Sequence, residues 1–481
     1  MISILVSDGY KFSMAEAGWP LRNETFYYSH RFGGAMVVPL DIEGFIRRHI
    51  PTIHVGEAEY LRGHDYELGA AFRAAIGLGD KLKITALPKF SIVKPREPIV
   101  SITGPSALVS WFEPLLLQLH FRFQVARLAL VTAGALKNEI QVATCESEKE
   151  IVLETLDAVK VKAPDIKVDT DGYFKGVLAR VKALIEILKD PNRIFEVGLR
   201  SATCLEQHEI ALRACKEAGV IRTSNVLGAQ RLDMVPVGTM GHEHVQRYGN
   251  DEDAFRAMRD RRPGRSSYLL DTFDTFLSGI PAAFKILQEN PGHQDSIRYD
   301  SGDKKSQYLY AVALAKERGL SPVHIFEDAF DLEKTKDFEE LRAFTGVPSS
   351  FQHYGYGGFI VNHGGSRSLT RDNVAANFKL SQTGPKATMK FSNDAAKESI
   401  PGRPVVFRRM GAPDGEPVSI IGQEGEKTPK GYFRRDELAY NHYCTPDPYE
   451  ILALGQAPEP VLSPETKSLR DQLLAKKRAM F

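Results

Sequence analysis

The chain has 481 residues, which is enough to bury more than one hydrophobic core, so two or three packed units are expected. Hydrophobic residues make up 43% of it and charged residues 26%, as is ordinary for a globular protein. Its 62 basic and 61 acidic residues leave a formal charge of +1, which excludes a general attraction to nucleic acid or to an anionic membrane. Arginine and lysine residues placed locally must therefore hold any anionic ligand.

Cysteine usage and the first residues favour a reducing compartment. The cysteines are Cys145, Cys204, Cys215 and Cys444. None forms a Cys-x-x-Cys pair, which argues against a disulfide scaffold and a structural zinc site. Residues 1–8 lack the basic and apolar regions of a secretory signal. The most apolar window, residues 107–121, is interrupted by Glu113 and Pro114 and is too short to span a bilayer. We expect a cytoplasmic protein.

The predicted elements change character along the chain. Residues 26–32 and 81–100 are strand-like, and residues 139–190 are charged and helical, with amphipathic stretches at 152–156 and 177–188. From about residue 191, short apolar runs end in polar or glycine-rich clusters and are followed by helical patterns, at intervals of roughly 25 to 35 residues. This alternation predicts a parallel sheet whose post-strand loops meet at one end, where ligands bind.

Two histidines flank a carboxylate in the segment GTMGHEH, residues 238–244. A metal site would need His242 and His244 to be joined by distant ligands such as His324 and His353. The glycines before them are typical of a loop that brings backbone N–H groups close to an anion. A polar structural loop is a further alternative. In the context of the other segments, a catalytic histidine is the favoured interpretation.

Three other segments carry charge or glycine at predicted strand ends. Residues 300–303 (DSGD) combine carboxylates that stabilise a cationic sugar carbon with a hydroxyl and a glycine suited to phosphate, although the same sequence is typical of a capped turn. Residues 354–358 (YGYGG) predict either a phosphate-binding loop or a flexible turn. A basic series suits a ligand with several phosphates, or a solvated charged face: Arg367, Arg371, Lys379, Lys386, Lys390 and Lys397.

Several motifs in the same order resemble those of nicotinate phosphoribosyltransferases. They are residues 7–14 (SDGYKFSM), 104–106 (GPS), 113–116 (EPLL), 196–200 (EVGLR), 223–225 (TSN), 238–243 (GTMGHE), 298–303 (RYDSGD) and 401–402 (PG). Residues 354–358, 369–372 (LTRD) and 378–379 (FK) also resemble the sister family, nicotinamide phosphoribosyltransferase. These motifs extend over nearly the whole chain.

The resemblance implies an α/β fold, with an irregular parallel α/β barrel of the type II phosphoribosyltransferases. It also implies a strand-rich N-terminal α+β domain that C-terminal segments complete. We place the N-terminal domain at residues 1–135, a helical segment or insertion at 136–190, the barrel with the active site at 191–385, and a segment that packs back on the N-terminal domain at 386–481.

The resemblance further implies the joining of a pyridine base to the ribose of 5-phosphoribosyl 1-diphosphate (PRPP), with loss of diphosphate, in NAD biosynthesis. ATP, as a co-substrate, would phosphorylate His242, a neutral imidazole being a competent nucleophile. Glu243 would orient that ring and Asp300 would lie near the anomeric carbon. Mg²⁺ would be held chiefly by diphosphate, with no protein ligand assigned. We expect a homodimer with shared active sites, and no nucleic acid or membrane partner.

Binding roles follow by position. Tyr10 would stack on the base from the neighbouring subunit, and Arg31 would likewise reach across to phosphate. Arg200, Ser224, Arg298 and Val197 would surround the base. The predicted phosphate and PRPP ligands are Ser301, Gly302, Gly355, Gly357, Gly358, Arg371, Lys379 and Lys390.

Ser224 favours nicotinate, because nicotinamide enzymes carry an aspartate there that would repel a carboxylate. Three departures leave alternatives open: Val197 replaces a stacking Phe, Glu327 to Ala329 replace Ser or Gly near phosphate, and Arg222 replaces Gly. The alternatives are a nicotinamide phosphoribosyltransferase and a catalytically retired relative that only binds nucleotide.

Overall fold

The predicted parallel sheet is present as a curled half-barrel of seven strands. The computed structural model describes residues 2–132, 140–362, 369–391, 398–409, 417–437 and 445–481, so Arg367, Lys397 and Cys444 lie outside the described residues. In their order across this barrel sheet, the strands are Val235–Pro236, Arg222–Thr223, Ile194–Glu196, Gln352–Tyr356, Val323–Phe326, Ser296–Tyr299 and Ser267–Leu269. All neighbouring pairs are parallel.

Helices follow the strands because the loops supply capping residues. Asn225, Asp303 and Asp331 each accept a hydrogen bond from a backbone N–H of the first turn that follows. Gly319 and Gly346 end two helices at positive φ, a conformation that glycine adopts without strain. The helices around the barrel sheet are Thr170–Leu188, Leu205–Glu217, Val226–Leu232, His242–Tyr248, Asp251–Arg261, Ile280–Glu289, Lys304–Arg318 and Leu332–Thr345.

A second, antiparallel sheet of five strands carries the N-terminal region. Its strands, in order across the sheet, are Lys386–Ala387, Asn377–Thr383, Asn23–Ser29, Val100–Pro105 and Lys83–Ala86. The strand Asn377–Thr383 pairs with Asn23–Ser29, although the predicted boundaries assign it to the barrel segment. Its side chains therefore reach the barrel from the N-terminal sheet.

The remaining elements pack around these sheets. A third sheet joins Phe433–Arg434, Pro404–Arg408, Ser419–Gln423 and Val461–Leu462. The other helices of six or more residues are Gly9–Glu16, Ile42–Arg48, Val55–Gly63, Ala70–Ile76, Ser106–Trp111, Glu113–Val131, Glu146–Ala158, Pro448–Gln456 and Pro464–Arg478. None of the described helices combines the length and apolar character that crossing a membrane requires.

Two predicted elements differ from the structure in detail. The helical pattern that follows the strand Ser267–Leu269 begins with a π-helical turn, Thr275–Gly279, and continues as the α-helix Ile280–Glu289. Pro281 lies in the first turn of that α-helix, where its missing N–H costs no hydrogen bond. The predicted glycine loop at 354–358 is strand as far as Tyr356, because the Tyr354 and Tyr356 rings are buried in the barrel core. The expected α/β architecture, with a curled parallel sheet and a strand-rich N-terminal region, is confirmed.

Candidate active site

A cavity of about 1670 Å³ lies along the concave side of the barrel sheet. Its lining includes alternate residues along the strands, such as Phe195 with Val197 and Ser296 with Arg298, because such residues share one face of the sheet. Lys379 and Lys390, which follow the barrel in sequence, and Tyr10 from the first helix complete the lining. The cavity therefore combines loops at the carboxyl ends of parallel strands with side chains from the antiparallel sheet.

His242 lies at the start of its helix and is held by three side chains. Its Nδ1 is 3.1 Å from Thr272 Oγ1, and its Nε2 is 3.2 Å from Asp300 Oδ2 and 2.8 Å from Lys390 Nζ. Burial lowers the pKa of His242, and the Lys390 ammonium lowers it further, so the ring is neutral at pH 7. The structure thus joins His242 and Asp300, whose separation in sequence is 58 residues.

Asp300 is an ionised carboxylate in this surrounding. Burial opposes its ionisation, but the hydrogen bond from His242 and the charges of Arg298 and Lys390 outweigh burial and hold the pKa of Asp300 well below its usual value. The Ser301 hydroxyl donates a hydrogen bond to Asp271, so it is not free to donate one to phosphate in this arrangement. Gly302 forms the turn, at φ 82°, and does not line the cavity.

The histidine-rich metal site considered from the sequence does not assemble. His244 is buried, and its Nε2 lies 2.9 Å from the carbonyl oxygen of Ala254. His324 is bonded to the Tyr299 hydroxyl, and the His353 ring stacks on Phe195. Among the described residues, one different group could hold a metal ion: ligand atoms of His242, Asp271 and Asp300 lie within 4.8 Å of one another.

Glu243 does not touch the His242 ring that it was predicted to orient. Its carboxylate accepts hydrogen bonds from Lys11 Nζ at 3.0 Å and from Ser110 Oγ at 2.6 Å. Consecutive residues of a helix point about 100° apart, so Glu243 faces the N-terminal helices while His242 faces the cavity. Thr272 and Asp300 hold the ring instead. Neither Thr272 nor Asp271 was singled out from the sequence, although both lie in the loop that follows the strand Ser267–Leu269.

Tyr10 and Arg200 form one wall, and both belong to the same chain as His242. The Tyr10 hydroxyl donates to Glu113 at 2.6 Å, and the Arg200 guanidinium lies 5.7 Å from the Tyr10 ring centre. A Cβ at Gly241, next to His242, would lie 3.3 Å from the Tyr10 ring. Within one chain, Tyr10 thus already lies beside His242, and its predicted contribution from a neighbouring subunit stays a prediction. The homodimer itself stays a prediction.

Ser224 is committed to a carboxylate that the sequence did not identify. Its hydroxyl donates to Asp8 Oδ1 at 2.6 Å, and Asp8 Oδ2 lies 3.5 Å from Arg200 Nε. Burial raises the pKa of Asp8, and the Arg200 charge opposes that rise. The argument that Ser224 presents a free donor to an anionic base is thus weakened. Arg200 and Arg298 are the groups that can attract a carboxylate here.

Most of the predicted phosphate ligands border the same cavity. Arg31, Gly355, Gly357, Gly358, Arg371, Lys379 and Lys390 all line the cavity. Burial lowers the pKa of Lys379 to about 7, and its cationic neighbours Lys390 and Arg31 lower it as well. These residues contribute positive charge that can attract a polyanion, although Arg371 is already paired with Asp372 at 2.8 Å.

Glu327 points into the cavity and does not turn away. A Cβ at Gly355 would lie 2.6 Å from Glu327 Cγ, so the Glu327 side chain fills the space above that glycine. Its Oε2 is 3.9 Å from Arg298 Nη1. Burial raises the pKa of Glu327, and Arg298 partly offsets the rise. Asp328 and Ala329 are exposed, and Arg222 lines the far end of the cavity with its Nη1 bonded to the Asn192 carbonyl.

Comparisons with known proteins give a consistent set of relatives. The chain is 26% identical over 295 residues to a nicotinate phosphoribosyltransferase of Mycobacterium tuberculosis, covering 59% of this chain and 60% of that protein. It is 22% identical over 469 residues to nicotinate phosphoribosyltransferase 1 of Arabidopsis thaliana, covering 89% and 78% of the two chains. The chain therefore spans only about three fifths of the length of the mycobacterial relative. No protein family model matches it.

Solved structures share the fold. A nicotinate phosphoribosyltransferase of Porphyromonas gingivalis superimposes with a TM-score of 0.57 at 18% identity, over 83% of this chain and 96% of that chain. A nicotinate phosphoribosyltransferase of Vibrio cholerae gives a TM-score of 0.57 at 19% identity, over 82% and 89%. The predicted resemblance to nicotinate phosphoribosyltransferases is confirmed. The α/β architecture is shared with these two solved structures.

The low pKa of Lys379 predicts proton-linked anion binding. In the free protein Lys379 is largely neutral above pH 7, and a bound polyanion favours its protonated form, so affinity falls as pH rises from 7 to 9, by up to about tenfold per unit for one proton. Calorimetric titration with diphosphate, in buffers of different ionisation enthalpy, measures the affinity and the proton uptake. Lys379→Met should abolish the pH dependence of the affinity, and Lys386→Met, at an exposed lysine, should keep it. A pH-independent affinity in the wild type would contradict the link to Lys379.

Proposed function

We propose that this protein is a nicotinate phosphoribosyltransferase that converts nicotinate and PRPP to nicotinate mononucleotide and diphosphate in NAD biosynthesis. The observation that carries the proposal is the contact of His242 Nε2 with Asp300 Oδ2, at 3.2 Å, in a cavity that arginines and lysines line. The curated relatives, all named nicotinate phosphoribosyltransferase, support the same reaction class.

The transfer needs an anion beside the sugar carbon and cations around the leaving group. The pyridine nitrogen attacks the anomeric carbon while the bond from that carbon to the diphosphate oxygen breaks, and positive charge develops on the sugar. The ionised Asp300 stabilises that charge, because its low pKa keeps it negative at neutral pH. Lys379 and Lys390 offset the charge of the departing diphosphate.

ATP coupling through His242 is the finer part of the proposal. The attack uses the neutral tautomer that carries its proton on Nδ1, facing Thr272 Oγ1, and not the one whose Nε2–H donates to Asp300. The Nε2 lone pair then attacks the γ-phosphorus, the N–P bond forms, and the P–O bond to ADP breaks. Lys390 Nζ, 2.8 Å from Nε2, would neutralise the incoming phosphoryl group, and the contact of Nδ1 with Thr272 fixes the ring orientation. Hydrolysis of the phosphohistidine would then drive the overall synthesis.

The residues also suit Mg²⁺. Asp271 and Asp300 supply carboxylate oxygens, the ligands that Mg²⁺ prefers, and Asp271 Oδ1 is buried without a hydrogen-bond partner among the described residues. A bound Mg²⁺ would contribute charge neutralisation of diphosphate, which would remain its main ligand. Within the chain, Ser301 holds the Asp271 carboxylate in position by its hydrogen bond.

Nicotinamide is the second candidate base, and Asp8 is the observation in its favour. A carboxylate beside Ser224 can accept a hydrogen bond from a carboxamide N–H and would repel a base carboxylate. Arg200 and Arg298 act in the opposite sense, because each attracts a carboxylate. Arg200 already neutralises Asp8 and Glu113, whereas Arg298 lies 3.9 Å from its carboxylate neighbour Glu327. The preference for nicotinate over nicotinamide therefore depends on Arg298.

A direct assay decides the reaction and the base. The full-length protein is incubated with PRPP and Mg²⁺ and with nicotinate or nicotinamide, each with and without ATP, and mononucleotide is quantified by chromatography. We expect nicotinate mononucleotide, formed faster with ATP. Absence of any mononucleotide rejects the proposed activity, and a larger kcat/KM for nicotinamide transfers it to the second candidate.

His242→Ala is expected to abolish the gain from ATP while slow transfer persists. Removal of the imidazole removes the phosphoryl acceptor but leaves Asp300, so the ratio of rates with and without ATP should fall to about 1. Rates are measured with and without ATP, and acid-labile phosphate on the protein is followed with labelled ATP. The exposed His293→Ala serves as the control and should keep both signals. Full ATP stimulation in His242→Ala would exclude the phosphohistidine.

Glu327→Gln is expected to lower the KM for PRPP about tenfold, because it removes a negative charge from the space above Gly355 while nearly preserving side-chain volume. Steady-state kinetics at saturating nicotinate measure this effect. Glu333→Gln, an exposed carboxylate on the following helix, should leave the KM unchanged. A raised KM in Glu327→Gln would mean that the carboxylate binds the substrate, for example through ribose hydroxyls.

A further inference from the structure

Two short segments with nearly the same sequence face each other outside the cavity. Residues 143–148 (ATCESE) and 202–207 (ATCLEQ) share the pattern Ala-Thr-Cys-x-x-Glu/Gln. Cys145 and Cys204 directly precede the helices Glu146–Ala158 and Leu205–Glu217, with φ, ψ of −158°, 171° and −159°, 171°. The two cysteines therefore occupy equivalent positions at the starts of two helices.

A buried polar network holds the two segments together. Glu148 Oε2 accepts hydrogen bonds from Thr203 Oγ1 at 2.8 Å and from Gln207 Nε2 at 2.9 Å. Gln207 Nε2 also lies 3.1 Å from Thr144 Oγ1. Between these contacts, the Sγ atoms of Cys145 and Cys204 are 3.6 Å apart. The network fixes the two thiols face to face in the interior.

The two thiols differ in reactivity. A hydrogen bond from the Cys145 thiol lowers the pKa of Cys204, and the Gln207 backbone N–H, 3.5 Å from Cys204 Sγ, adds to this effect. The same thiol–thiol hydrogen bond, with burial, raises the pKa of Cys145. Cys204 retains 7% exposure whereas Cys145 has none, so a small reagent reaches Cys204 first.

We propose that Cys145 and Cys204 are a modification site that forms a reversible disulfide when the protein meets a small hydroperoxide. The Cys204 thiolate attacks the peroxide oxygen, the O–O bond breaks, and a sulfenic acid and one water form. The Cys145 thiol then attacks the Cys204 sulfur, the S–S bond forms, and the S–O bond breaks to release a second water. The thiols lose two hydrogens in total, and one hydrogen peroxide is reduced to two waters.

Closure of the bond requires the sulfurs to approach by about 1.5 Å, to a bond of about 2.05 Å. The bridge would tie the helix Glu146–Ala158 to the helix that begins just after Arg200, and it would link residues 59 apart in sequence. Restriction of the unfolded chain should raise the unfolding midpoint by about 5 °C. Neither cysteine lines the cavity, so the chemistry is independent of the proposed transfer reaction.

The test uses the full-length, reduced protein treated with hydrogen peroxide, then denatured, alkylated and analysed by intact mass and peptide mapping. We expect loss of two hydrogens, two fewer alkylated thiols, a peptide that links Cys145 to Cys204, and full reversal by dithiothreitol. The unfolding midpoint is measured before and after oxidation. An unbridged wild type, or a bridge between other cysteines, overturns the proposal.

Variants separate the two roles. In Cys145→Ser, Cys204 should stop at the sulfenic acid, which dimedone traps, and no bridge should form. Cys215→Ser is the matched control, because Cys215 lies in the helix Leu205–Glu217, is fully buried, and has a pKa that burial raises. This variant should form the bridge between Cys145 and Cys204 as the wild type does. Loss of two hydrogens in Cys145→Ser would contradict the assigned pair of cysteines. If a variant fails to fold, the peptide map of the oxidised wild type still decides whether Cys145 and Cys204 are bridged.

Discussion

The structure depends on the burial of charged groups that arrive from separate strands and must compensate one another in the cavity. His242 follows one edge strand of the barrel sheet and Asp300 follows the strand next to the opposite edge, so their contact at 3.2 Å requires the sheet to curl. A flat sheet would leave a buried carboxylate without its partner, at a cost of several kcal/mol. The curl of the sheet and the low pKa of Asp300 are thus two aspects of one arrangement.

A second set of buried charges ties the N-terminal helices to the barrel. Lys11 Nζ lies 2.6 Å from Glu113 and 3.0 Å from Glu243, and Arg247 joins Glu243 to Glu24 of the antiparallel sheet. Such pairs gain little net stability after desolvation, but removal of one member leaves an uncompensated buried charge. Their effect is therefore on register: they fix Glu243, and through the helix His242, relative to Tyr10 and Glu113.

The sequence predicts the fold well where periodicity and caps agree. The alternation of strands and helices after residue 191 is visible because Asn225, Asp303 and Asp331 cap helices and Gly319 and Gly346 end them. His242, Asp300 and the cavity residues Lys379 and Lys390 are also recognisable from their residue type and their position in the sequence. This information is local, so a single sequence carries it.

Side-chain direction is not local, and that is where prediction from sequence fails. Glu243 and Ser301 are adjacent to reactive residues in sequence, yet both turn to partners that only the tertiary structure supplies, Lys11 with Ser110 and Asp271. Asp8 lies two residues before Tyr10, and its carboxylate accepts a hydrogen bond from Ser224, which is 216 residues away in sequence. Hydrogen-bond partners this remote leave no periodic signal in one chain.

The uneven distribution of charge in the cavity determines how a charged substrate is oriented within it. Near Tyr10, carboxylates offset the charge of each arginine. Arg200 lies beside Asp8 and Glu113, and Arg298 lies near Glu327 and Asp300. Burial is the main cause of the pKa of about 7 at Lys379, and the nearby cations Lys390, Arg31 and Arg200 lower it further, whereas Glu113 raises it. A substrate with a polyanionic end and a nearly neutral or singly charged ring therefore has one favourable orientation, with phosphates toward Lys379 and the ring toward Tyr10. Glu327 fills the space above Gly355 in the same cavity, and a carboxylate there opposes a phosphate group more than it opposes an uncharged ring. Discrimination among phosphorylated sugars thus depends on this position, whereas discrimination between bases depends on Arg298 and Asp8.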